Sequence, residues 1–207
     1  MTVTPMQSLQ TDDDPGKGVP PPPATRDARA WRSAMRREAT KARATEQLPD
    51  YADGAAERAM HLLDERDMMR AIRTGTLPAV TFFKPIGADD QHPGYASLVR
   101  GDYHAAEIID EIQKSQIWSN YNTVIIVTYA GNGGIWDHVA PPKVDRWGPG
   151  TRVPTIIISP FAKRHFVDHT VYDTTSILKL IETRWHLPSL GDRDAHAGDL
   201  TNALQLD

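Results

Sequence analysis

Seven consecutive residues, TVIIVTY from Thr123 to Tyr129, offer no polar face that could be turned to water. A β-branched run of this kind suits a central parallel strand, covered by helices on both faces of its sheet. The stretch Gly131–Gly134 breaks it. A second such run, VPTIIIS from Val153 to Ser159, follows the loop PPKVDRWGPGTR, and LPAVTFF from Leu77 to Phe83 reads as a further buried strand. Between these runs the spacing becomes helical. Ala59, Leu62, Leu63, Met69 and Ile72 share one face of a helix over 55–72 that Gly75 stops. Ile108, Ile109 and Ile112 alternate with Glu107, Asp110 and Glu111 in an amphipathic helix over 104–114. Asp173–Trp185 is a third helix, with Thr174 or Asp173 as N-cap and Pro188 marking its end. The order helix, strand, helix, strand, strand, helix predicts an α/β sandwich.

Composition sets the outer limits. A chain of 207 residues can bury one substantial core. A net charge of -4 gives no electrostatic reason to expect a nucleic-acid partner. The absence of cysteine removes disulfides and zinc-thiolate sites. The first residues lack the basic start and apolar core of a secretory signal, and no apolar run approaches the roughly 20 residues of a membrane span. A soluble, unexported chain is the expectation. Residues 1–50 differ from the rest: an acidic triplet, a proline run and a basic stretch over 28–47 predict a largely disordered or helical segment. Residues 51–207 form the regular part.

Ligands of an open α/β sheet bind beyond the C-terminal ends of its strands. Three such ends carry polar loops, with Asp89, Asp90 and His92 in the first and Asn132, Asp137 and His138 in the second. The third holds Lys163, Arg164, His165, Asp168 and His169. Carboxylates, imidazoles and cations at one edge could hold a metal and a phosphate. Taken singly, Asp137 and His138 also read as a hydrogen-bonded loop pair. Arg146 and Arg152 either serve a phosphate or pair with Asp137 and Asp145, and both readings stay open. The GNGG stretch lacks the Lys-Ser/Thr ending of a phosphate-binding P-loop.

Together, GTLPAVTFFKP (75–85), QHPG (91–94), TVIIVTYAGNGGIWDHVAPP (123–142), RWGPGTRVPTIIISPFAKR (146–164) and VDHTVYDTTSILKLIE (167–182) carry a resemblance none carries alone. In order and spacing they resemble the phosphoesterase family, which includes bacterial acid phosphatases and non-haemolytic phospholipases C. The likeness covers residues 51–207. It implies a three-layer α/β/α sandwich of alkaline-phosphatase-like type and hydrolysis of phosphate esters, in which a metal-bound hydroxyl attacks phosphorus. It further implies that His92 contacts the phosphoryl group and that Asp137 and His138 lie beside the metal loop. His92, Asp137 and His138 are thus the candidate catalytic residues, and His92, Asn132 and Arg152 the candidate substrate contacts.

The resemblance also marks two departures. Where the family loop reads Tyr-Asp-Glu-Asn-Gly-Gly, with adjacent carboxylates as ligands, this chain has Ala130 and Gly131. An oxygen-bound divalent cation loses two anionic ligands there, and the Asn132 amide does not restore the charge. The family's divalent metal is therefore not expected to be bound. Family members also carry a nucleophile and first metal ligands in an N-terminal half, a stretch expected to be missing here, which would leave an incomplete sandwich with apolar sheet edges. The expectation is an acid phosphatase or phospholipase C-like hydrolase with impaired catalysis, acting on a phosphate-ester small molecule or a phospholipid head group. The alternatives are a non-catalytic phosphate-binding or regulatory module, or a fragment completed by another chain.

Overall fold

The computed structural model describes residues 2–4 and 60–206. The described residues up to Tyr121, apart from 2–4, belong to one compact unit, and those from Asn122 onward together with 2–4 to another. The expected helix over 28–47 lies outside the described residues.

In the first unit, helix α1 (Glu65–Thr74) starts at Asp64, whose carboxylate accepts the backbone N–H groups of Arg66 and Asp67. It ends at Gly75, held at φ 71, where glycine carries no Cβ penalty. The helix expected over 55–72 is therefore interrupted: residues 62–64 are not helical, and Leu62 and Leu63 are exposed. The strength of Asp64 as a cap outweighs the apolar spacing across it. Helix α2 (Leu98–Lys114) is capped by Ser97, begins earlier than its isoleucines indicate, and buries Ile108 and Ile112. His104 lies 3.4 Å from Glu65, and Arg73 bonds Glu111 at 3.2 Å. Both chains of contact advance together, so α1 and α2 run in the same direction. A short helix α3 (Gln116–Asn120) follows.

LPAVTFF is not a strand. It pairs with no strand among the described residues, and Phe82 stands 74% exposed. An apolar run can become a strand only where a neighbour takes its backbone hydrogen bonds, and among the described residues none does.

The second unit holds β1 (Thr2–Thr4), β2 (Ile125–Thr128), β3 (Val153–Ile158) and β4 (Tyr172–Asp173) in the order β2-β3-β1-β4. It also holds helices α4 (Thr175–Trp185) and α5 (Asp192–His196) and a closing 3₁₀ turn at Thr201–Ala203. β2 is neither central nor parallel. It lies at the end of the sheet and pairs antiparallel with β3, from Ile125 opposite Ile158 to Thr128 opposite Thr155. No helix intervenes between the two strands, and a loop without a crossover returns the chain in the opposite direction. β3 alternates, with Val153 and Thr155 buried and Pro154 and Ile156 exposed, so one face of the strand meets solvent. The architecture is mixed α/β with a small sheet, smaller than a full three-layer sandwich.

The core of this unit forms around Tyr172 and Leu200, with Ile126, Ile157, Ile177 and Leu180 against them. Helix α4 starts at Thr174, but the capping oxygen comes from Asp173, which accepts both the N–H and the hydroxyl of Thr175.

Candidate functional site

The loop joining β2 to β3, residues 129–152, carries most of the residues singled out above. Its first turn is closed by Asn132. The side-chain oxygen accepts the Gly134 N–H at 3.1 Å and the amide donates to the Ile135 carbonyl at 3.0 Å. Gly133 and Gly134 adopt φ 61 and 78, which this turn requires. Both polar groups of Asn132 thus serve their own loop. Ala130 and Gly131 are exposed and contribute no side-chain donor or acceptor.

Asp137 is the fixed point of the loop. Its oxygens accept Arg152 Nε at 2.9 Å and Nη2 at 2.8 Å, together with the backbone N–H of Arg152 and of Val139. Only 12% of its side-chain surface is exposed. The Arg152 guanidinium, followed by the Val139 N–H, holds the Asp137 carboxyl far below the usual carboxylate range, and the same pairing raises Arg152. Of the two roles open to Arg152, pairing with Asp137 is the one observed. His138 is exposed, with Nδ1 3.8 Å from Asp137 and its ring 6.3 Å from that of Trp136.

Farther along, Asp145 caps its own turn by accepting the Trp147 and Gly148 N–H groups, and it pairs with Arg193 of α5. The Arg193 guanidinium is the main cause of its lowered pKa. Arg146 does not pair with Asp145 but lies over the Trp147 ring at 4.3 Å. In the loop after β3, Asp168 is buried and receives the Thr170 N–H, the Tyr172 hydroxyl and the Asn202 amide. Burial works to raise its pKa, but these hydrogen bonds outweigh it and the net shift is downward. Arg193 and Asn202 escaped sequence reasoning because each reaches its partner across more than thirty residues, and no local pattern reports such a pairing.

His92 belongs to the other unit and is described by itself. Its backbone N–H is held by Asp90, its ring stacks on Tyr95 at 4.5 Å, and Nδ1 lies 2.8 Å from the Pro93 carbonyl. A carbonyl can only accept, so Nδ1 carries the hydrogen and the neutral ring has its lone pair on Nε2. The turn beneath is anchored by Arg100 on Asp89 and by close packing on Gly101.

A divalent cation does not fit the donors that the described residues of the β2–β3 loop present. Among the described residues no three histidines or acids converge. Ala130 and Gly131 bring no carboxylate to the loop, and the nearby Asp137 is already neutralised by Arg152.

The chain belongs to the Phosphoesterase family, whose pattern matches residues 27–188. The match begins upstream of the composition change near residue 50. The chain is 27% identical to the non-hemolytic phospholipase C of Pseudomonas aeruginosa over 172 residues, 66% of this chain and 25% of that protein. It is 29% identical to phospholipase C B of Mycobacterium tuberculosis over 169 residues, 67% of this chain and 31% of that protein. Non-specific phospholipase C6 of Arabidopsis thaliana is 29% identical over 163 residues, 63% of this chain and 31% of that protein. The chain thus spans between a quarter and a third of the length of these relatives.

Proposed function

We infer that this chain handles phosphate esters as a phospholipase C-like member of its family, with a phospholipid head group or a phosphomonoester as ligand, and that by itself it hydrolyses them weakly or not at all. The observation that carries the second half is the pair Ala130 and Gly131. Where the family loop is expected to bring two adjacent carboxylates, this loop presents a methyl group and a hydrogen, and Asp137 is held in an ion pair. The ligand class is supported by family membership and by the phospholipases C among its relatives. His92 is exposed and held through Nδ1 on the Pro93 carbonyl, which leaves Nε2 for a ligand contact. The alternative of a binding module without catalysis rests on this same histidine.

The test is turnover of a soluble phosphomonoester by the purified chain with added divalent cations, beside Ala130→Asp combined with Gly131→Glu. The native chain is expected to be nearly inactive and the double variant more active. Robust native turnover that His92→Ala abolishes would overturn the impaired reading. Binding of the ester without turnover or metal would select the binding module.

A further inference from the structure

We propose that the β2–β3 loop docks on a phospholipid bilayer bearing anionic head groups, an inference that rests on the phosphate-ester reading above. Ile135, Trp136, Val144 and Trp147 of this one loop stand in solvent, Trp136 at 82% and Trp147 at 65% exposure. Large apolar side chains exposed together in one segment mark an interaction surface more often than an ordinary one. They are nonetheless held in place, because the loop is pinned at Asp137 by Arg152 and at Asp145 by Arg193.

The same two ion pairs decide the charge of the surface. Asp137 and Asp145 are the loop's only acids, and each is neutralised by its arginine. Among the described residues, neither Lys143 nor Arg146 is paired with a carboxylate. Two uncompensated cations therefore lie between the exposed tryptophans along the loop, with the Arg146 guanidinium 4.3 Å from the Trp147 ring. Indole rings settle at the depth of lipid head groups, where basic side chains meet phosphate. A second copy of this chain would bring the same unpaired cations to the contact and repel, whereas an anionic lipid surface complements them.

Flotation of the full chain with phosphatidylcholine vesicles, with and without phosphatidylglycerol, tests the inference. Loop variants are made in an Arg36→Gln, Arg37→Gln background, so that the basic N-terminal stretch does not mask their effect. The background protein is expected to float with the phosphatidylglycerol vesicles. Trp136→Ala with Trp147→Ala should lower that partition by roughly tenfold or more. Lys143→Gln with Arg146→Gln should lower it by roughly fivefold per cation and leave binding to phosphatidylcholine alone unchanged. Because these side chains are exposed, circular dichroism should report native folding in both variants. Absence of flotation, or flotation unaffected by either variant, overturns the proposal. Self-association that the tryptophan variant abolishes, without flotation, overturns it in favour of a second copy. Turnover and binding of a soluble phosphomonoester do not involve the bilayer, so the phosphate-ester reading stands or falls separately.

Discussion

Arg152 supplies three of the four hydrogen bonds that Asp137 receives, two from its guanidinium and one from its own backbone N–H. The clamp joins the middle of a long loop to the residue just before β3. A forked donor and a carboxylate match in shape as well as in charge. The loop conformation around His138 thus depends on one side-chain pair.

Replacing Arg152 by Lys should lower the melting temperature nearly as much as Asp137→Asn, because an ammonium keeps the charge but loses the fork. The folded-state pKa of Asp137 is depressed, so its stabilisation is complete above the ordinary carboxylate value of about 3.9 and is lost as pH falls through the lower folded value. Melting curves against pH should therefore show the native chain losing an acid-sensitive increment only below about pH 4, and Asp137→Asn lacking that increment. Identical acid limbs would show that the clamp contributes nothing.

Asp168 should behave in the same direction. Its lowered pKa places its contribution above the ordinary carboxylate range, to be lost in acid. Asp168→Asn would turn an amide donor toward one of the three donors it now receives, from Thr170, Tyr172 and Asn202. Reduced stability at neutral pH, with a smaller difference in strong acid, is the expected pattern in urea titrations.

Gly101→Ala tests the support beneath His92. An added Cβ would lie 2.3 Å from Gln91 Cγ and 2.8 Å from the Asp89 carbonyl oxygen, which is backbone and cannot swing away. Helix propensity favours alanine by about 1 kcal/mol, while overpacking costs about 1–3 kcal/mol. Net destabilisation is expected in denaturant titration, and an increase in stability would refute the close approach.

Leu200 sits in the left-handed region at φ 62 with its side chain fully buried. The backbone cost for a non-glycine residue is about 1–2 kcal/mol, and truncating a buried leucine costs about 2–5 kcal/mol. Burial therefore outweighs strain. Leu200→Ala should be strongly destabilising, with Leu200→Gly less so than cavity size predicts, because glycine relieves the backbone. Equilibrium unfolding of both variants decides the point.

At His92, glutamine should conserve more ester affinity than asparagine. The glutamine amide reaches toward the Nε2 position, whereas asparagine reproduces only the Nδ1 contact to the Pro93 carbonyl. Equal losses in a binding titration would argue against a role for Nε2.

The family was legible in the sequence because its blocks are local. Val153–Ile158, the helix over 175–185 and the stop at Gly75 are also where the spacing places them, since periodicity and glycine report nearest neighbours. Pairing partners are another matter. The run TVIIVTY looks the same whether its neighbour is parallel or antiparallel, and LPAVTFF looks like a strand whether or not a neighbour exists. At the candidate site, Asp137 and Arg152 were visible as residues but their bond was one of two open readings. Arg193 and Asn202 carried no signal, because their partners lie far away along the chain.

The two ion pairs of the β2–β3 loop have one more consequence. A peptide bond cut between Ala140 and Val144 would leave both new ends tethered, the upstream one through Asp137 on Arg152 and the downstream one through Asp145 on Arg193. The exposed tip is an accessible target for a protease, yet the fragments should stay together through β2–β3 pairing and elute as one species until denaturant is added. The loop is thus a place where the chain can lose its continuity before it loses its fold.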